Sequence, residues 1–109
     1  MEDIIENVQA IQQYVAGMDL AAFEGDRKTC DAVERCLERI SEASAKLGDL
    51  AAALMPDQPW PKIRALGNRL RHEYDAIGEA RLWDIVQIDL PGLWAAARAA
   101  LQRLHDEQK

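Results

Sequence analysis

The sequence predicts an all-α protein, and three observations carry that prediction. Apolar residues recur every three or four positions along most of the chain, and no stretch alternates with the period of two that marks a strand. Helix starts and stops recur at intervals, as Asp, Pro and Gly. The connections between them are short, which favours helices packed against their sequence neighbours in an antiparallel bundle of four to five helices.

The first helix is expected from about Asp3 to Gly17. Its apolar stripe is Ile4, Val8, Ile11 and Val15, and Asp3 with Glu6 has the spacing of a capping box. Asp19 to Phe23 suits one further turn. The second long helix follows Gly25-Asp26 and ends near Leu47-Gly48, with Val33, Cys36, Leu37, Ile40, Ala43 and Leu47 as its stripe and Gly48 as a C-terminal stop. Asp49 to Met55 continues as a short helix or turn. Pro56-Asp57-Gln58-Pro59-Trp60-Pro61 is a rigid connector, and Pro61 fits the first turn of a third long helix that runs to about Ile77, before Gly78. A fourth begins near Glu79, is interrupted around Asp89-Leu90-Pro91, and resumes with Asp89 as its cap. Its second half carries Leu93, Trp94, Ala97, Leu101 and Leu104, and frays from His105 onward.

With 109 residues the chain is sized for one domain, residues 1–109, around one hydrophobic core. A net charge of −6 is wrong for a general nucleic-acid coat, which needs a broad basic surface, but leaves room for a local basic cleft. No apolar run approaches the roughly 18 residues of a membrane span. Met1-Glu2-Asp3 is acidic, unlike the start of a signal peptide, so a cytoplasmic protein is expected. Cys30 and Cys36 share one predicted helix but point to different faces at about 100° per residue, so they read as reduced, structural thiols. There is no metal-ligand spacing, Gly-rich phosphate loop, nucleophile elbow or paired-carboxylate pattern, and no cofactor is expected.

The chemistry-bearing segment is Gly67-Asn68-Arg69-Leu70-Arg71-His72-Glu73-Tyr74-Asp75. On the third helix Ile63, Leu66, Gly67, Leu70, Tyr74 and Ile77 share one face of about 100° of arc, which packs on the bundle. Arg64, Asn68, Arg71 and Asp75 follow at steps of three and four and form a polar ridge. His72 lies just beyond it, with Arg69 on its other flank. Taken alone, such a face is an ordinary solvated, salt-bridged exterior. It also suits metal-independent cleavage of RNA. An imidazole titrating near neutrality can move the proton of a ribose 2′-hydroxyl, and a guanidinium fork can neutralise the charge gathering at phosphorus. Asn68 can hold a phosphate oxygen or orient the imidazole. A two-fold dimer would bring two copies of His72 together as base and acid.

The chain resembles the HepT-like branch of the HEPN superfamily over nearly its whole length. The resemblance rests on Asp3-Ile4-Ile5, Phe23-x-x-Asp26-Arg27, Asp31-Ala32-Val33, Ser41-Glu42-Ala43 (in place of Gly-Glu-Ala), Pro59-Trp60, Asn68-x-x-x-His72-x-Tyr74 and Trp83-Asp84-Ile85-Val86-x-x-Asp89-Leu90-Pro91. It implies a HEPN-like helical bundle that forms a homodimer with its signature helices facing each other. It further implies a metal-independent endoribonuclease, a hydrolase serving as the toxin of a prokaryotic toxin–antitoxin pair. The implied partner is an MNT-type nucleotidyltransferase antitoxin, which can transfer AMP to the signature tyrosine. By motif position the histidine is His72 and the AMP acceptor Tyr74. The signature arginine falls at Gly67, so the guanidinium must come from elsewhere: Arg71 or Arg64 for catalysis, with Arg69 and Lys62 as candidate RNA contacts. The alternative is a non-catalytic helical module that binds the nucleotidyltransferase and is modified on Tyr74. A scaffold with no site is the third reading.

Overall fold

A computed structural model describes residues 1–72 and 77–108, the side chain of His72 excepted. The described residues form a bundle of helices without strands, as the apolar spacing predicts. α1 (Glu2–Tyr14) buries Ile4, Val8 and Ile11. The expected capping box of Asp3 with Glu6 does not form among the described residues: the cap is Met1, and Asp3 stands inside the first turn. There its carboxylate faces the positive end of the helix dipole and needs no capping bond. Gly17, at φ +78°, turns the chain in a conformation that side chains rarely tolerate. Asp19 then caps the short α2 (Leu20–Glu24), accepting from the Ala22 amide at 2.8 Å. α2 carries Phe23 into the core, where its ring lies 5.2 Å from that of Trp83.

α3 (Arg27–Leu47) is the central helix, packed by α1 on one side and α5 on another. Asp26 caps it through the Thr29 amide at 3.1 Å, and that bond holds the Asp26 carboxyl below its ordinary range. Gly48, at φ +54°, ends it where the sequence places the stop. The predicted stripe is buried apart from Leu47, which is half-buried; Cys30 joins it, as do two polar residues, Ser41 and Ser44. Ser44 satisfies its hydroxyl by donating to the Ser41 carbonyl at 2.7 Å. Cys30 and Cys36 are free and buried. Burial is the first cause that raises both thiols above their ordinary pKa, which keeps them protonated and unreactive at neutral pH.

α4 (Asp49–Leu54) leads to the proline-bounded connector. Trp60 anchors the connector's end, its indole N–H donating to the Met55 carbonyl at 2.9 Å. α5 (Trp60–His72) then runs against α3. Its expected end near Ile77 falls partly on residues 73–76, outside the described set; Ile77 itself is a buried bend.

α6 (Glu79–Asp84), a π-helical turn (Ile85–Asp89) and α7 (Leu90–Glu107) form one continuous helix rather than the interrupted pair the sequence suggests. Asp89 is not a cap, because its backbone is itself helical, at φ −89° and ψ −39°. Pro91 has no N–H to return to the preceding turn, and the chain takes up the slip by widening that turn, so that the Leu90 amide bonds to the Ile85 carbonyl. α7 buries Leu90, Leu93, Ala97 and Ala100 and packs on α1. The Arg98 guanidinium stacks 4.9 Å above the half-buried Trp94 ring.

Candidate active site

Leu70 and Gly67 are buried on the core side of α5, while Arg64, Asn68 and Arg71 are exposed along its outer flank. The polar ridge therefore exists as the spacing predicts from Arg64 to Arg71; its expected fourth member, Asp75, lies outside the described residues. Asn68 and Arg71 are joined directly: Arg71 Nη2 donates to Asn68 Oδ1 at 2.7 Å. Arg64 stands one turn before Asn68. His72 follows Arg71 as the final described residue of α5, one turn beyond Asn68. The His72 side chain and the Tyr74 expectation lie outside the described residues. Arg69 is exposed on the opposite flank.

Gly67 sits where α5 presses against α3. A Cβ built there would lie 2.0 Å from Ser41 Oγ and 2.3 Å from Ser41 Cβ. Ordinary carbon contacts need about 3.5–4.0 Å. The neighbouring helix thus occupies the space that a side chain at position 67 would need. The two small residues that meet at this crossing are Ser41 and Gly67. The same built Cβ lies only 3.6 Å from Arg71 Nη1, so the Arg71 guanidinium leans back one turn beside Gly67.

Two concavities flank this region. An apolar groove of about 450 Å³ runs between α3, α5 and the α6–α7 helix. Leu37, Ile40, Ile63, Leu66, Ile85 and Leu93 line it, and Ile88 of the π turn stands 72% exposed on its wall. Lys62 belongs to this groove, with Arg81 and Asp89. It lies about 160° around the helix from Arg64, so the structure does not bring it onto the ridge. The second concavity, about 250 Å³, is lined by Glu24, Asp31, Glu34 and Glu79 with Arg27. Burial first, then Asp31 and Glu38, raises the Glu34 carboxyl above its ordinary pKa. Such a cleft repels phosphate, whereas the exposed side chains described on the α5 ridge include the cations Arg64 and Arg71. Sequence reasoning missed the Ser41–Gly67 contact. Its signal was a glycine on the apolar face of α5 and serines at i and i+3 on the stripe of α3, small residues that let two helices approach.

The model of one family, described as ribonuclease HepT-like, matches residues 4–100. The chain belongs to the HepT-like ribonuclease family. It is 33% identical over 93 residues to a probable ribonuclease HepT of Thermococcus cleftensis, covering 85% of this chain and 84% of that protein. It is 36% identical over 89 residues to a protein of Methanocaldococcus jannaschii named as a candidate RNase, covering 82% of this chain and 74% of the other. A second such protein of that organism is 33% identical over 89 residues, with 82% of each chain covered. No solved structure matches the chain. Membership in the HepT-like family directs attention to the α5 ridge and the histidine that follows it.

Proposed function

We propose that this HepT-like chain is a metal-independent endoribonuclease and the toxin of a prokaryotic toxin–antitoxin pair. The observation that carries the reading is the α5 ridge, where exposed Arg64, Asn68 and Arg71 lead directly into His72 within a chain of this family. The reaction is attack of a ribose 2′-oxygen on the adjacent phosphorus. The P–O5′ bond breaks, leaving a 2′,3′-cyclic phosphate and a 5′-hydroxyl. His72 moves the proton, taking it from the 2′-hydroxyl or giving it to the departing 5′-oxygen. Arg71 and Arg64 offset the charge that builds on the phosphoryl oxygens. Arg69 supplies an RNA contact on the far flank; Lys62 supplies a further one.

The working unit is a homodimer, in which the His72 of one copy serves as base and that of the other as acid. The apolar groove supports this. Exposed Ile88 stands on its wall, and a two-fold pairing seats each Ile88 against the other copy, while Arg81 and Asp89 offer opposite charges for the operator to pair. The antitoxin is an MNT-type nucleotidyltransferase that silences the chain by transferring AMP to Tyr74. Incubation of the purified protein with single-stranded RNA in EDTA tests the activity: the wild type cleaves and His72→Ala does not. Equal cleavage by both, or cleavage by neither, overturns the reading.

One observation favours a second reading. Gly67 is locked against Ser41 and supplies no cation, which fits a non-catalytic module that binds a nucleotidyltransferase and is modified on Tyr74. Mass spectrometry after incubation with such an enzyme and ATP separates the two: mass gain of one AMP without RNA cleavage at any stage supports the second.

A further inference from the structure

We infer that Arg71 is the principal phosphate-facing cation of this chain, that Gly67 is the seat over which its guanidinium folds, and that Asn68 is its positioning residue rather than an orienter of the imidazole. The inference rests on the ribonuclease reading above and deepens it.

Three distances carry it. The Asn68 carboxamide oxygen accepts from Arg71 Nη2 at 2.7 Å, so this end of the amide is already engaged by a guanidinium. Arg71 Nη1 stands 3.6 Å from the point where a Cβ of residue 67 would be, an ordinary contact distance, so the guanidinium lies directly alongside Gly67. Ser41 Oγ would meet that same Cβ at 2.0 Å, so a larger residue in the seat must force α5 away from α3 while Ser41 remains. A free arginine on an exposed helix face samples many rotamers and loses that freedom when it grips a phosphate. Here one hydrogen bond to Asn68 fixes the plane of the fork beforehand. The remaining N–H donors stay available for an anion, since a guanidinium carries five. Arg64, Arg69 and Lys62 differ in place: Arg64 is about two turns further back, Arg69 is on the other flank, and Lys62 is in the apolar groove.

The test is a set of variants assayed for cleavage of a fluorescent single-stranded RNA in EDTA. Arg71→Ala slows cleavage by about 100- to 1,000-fold, as loss of a principal charge-stabilising donor does. Asn68→Ala slows the wild type about tenfold, through the lost charged hydrogen bond, but adds nothing in the Arg71→Ala background. Ser41→Gly with Gly67→Arg opens the crossing and moves the cation, and restores at least tenfold of the activity lost in Arg71→Ala. Should that triple variant lack a folded circular dichroism spectrum, millimolar guanidinium added to Arg71→Ala serves instead, and partial recovery is expected. Arg71→Ala cleaving as fast as wild type overturns the inference, as does an Asn68→Ala loss that persists in full without Arg71, or no recovery by either route. A wild type that does not cleave overturns the ribonuclease reading instead. In that case binding of a 2′-O-methyl RNA decides: weaker binding by Arg71→Ala keeps Arg71 as a phosphate seat, and equal or absent binding overturns that too.

Discussion

Gly67→Ala is the most informative single perturbation of the fold. The added methyl would sit 2.3 Å from Ser41 Cβ and 2.0 Å from Ser41 Oγ. A rotamer change at Ser41 can move the hydroxyl away but cannot move Cβ, which is fixed to the backbone of α3. The helices must therefore separate by more than 1 Å to reach the usual contact of about 3.5–4.0 Å. Overpacking of this kind costs up to about 3 kcal/mol. Replacing a mid-helix glycine by alanine returns about 1 kcal/mol of helix propensity. The net expectation is a loss of about 2 kcal/mol, or roughly 10 °C in Tm for a domain of this size. Thermal and urea unfolding followed by circular dichroism measure it. Ser41→Gly removes the opposing Cβ, so in its presence Gly67→Ala should be close to neutral, giving a coupling of about 2 kcal/mol in a double-mutant cycle. A Gly67→Ala protein as stable as wild type, or a cycle with no coupling, would refute the crossing contact.

Three further outcomes follow from the same contacts. Trp60→Phe removes the indole donor to the Met55 carbonyl but leaves that carbonyl the Gln58 amide, so a loss of about 1 kcal/mol in urea unfolding is expected; no change would contradict the anchoring role. Glu34 is half-buried and its folded pKa is raised, so its ionised form opposes folding above that pKa and the penalty vanishes as pH falls below the ordinary carboxylate range. Glu34→Gln should therefore raise Tm at pH 7 and leave it unchanged near pH 3; the reverse order would refute the sign. Ile88→Asp should convert a dimer to a monomer in analytical ultracentrifugation without loss of helix content, and an unchanged dimer would place the interface elsewhere.

The helices were legible because their stripes were long and their punctuation strong: Asp26 and Gly48 bound α3 where their chemistry says they should. The α5 ridge was equally plain, since steps of three and four place Arg64, Asn68 and Arg71 on one flank whatever the tertiary context. What sequence could not resolve were competitions between neighbours. Asp3 had the spacing of a cap, yet the helix began earlier and absorbed it. Pro91 promised a break, but a π turn spread the mismatch over Ile85–Asp89 and kept the helix whole. Gly67 read as a missing arginine along one helix. Only the facing Ser41 shows how little room a side chain has there, and only the bundle shows that the Arg71 guanidinium lies alongside.

In the proposed reaction a guanidinium and an imidazole from the end of α5 act together on an RNA phosphate. End-group analysis of RNA cut by the wild-type protein in EDTA is the sharpest test. Fragments ending in 2′,3′-cyclic phosphate are expected, with none from His72→Ala and no scission at a nucleotide whose 2′-hydroxyl has been replaced by hydrogen. Intact RNA, or fragments with free 3′-hydroxyl ends, would overturn the mechanism.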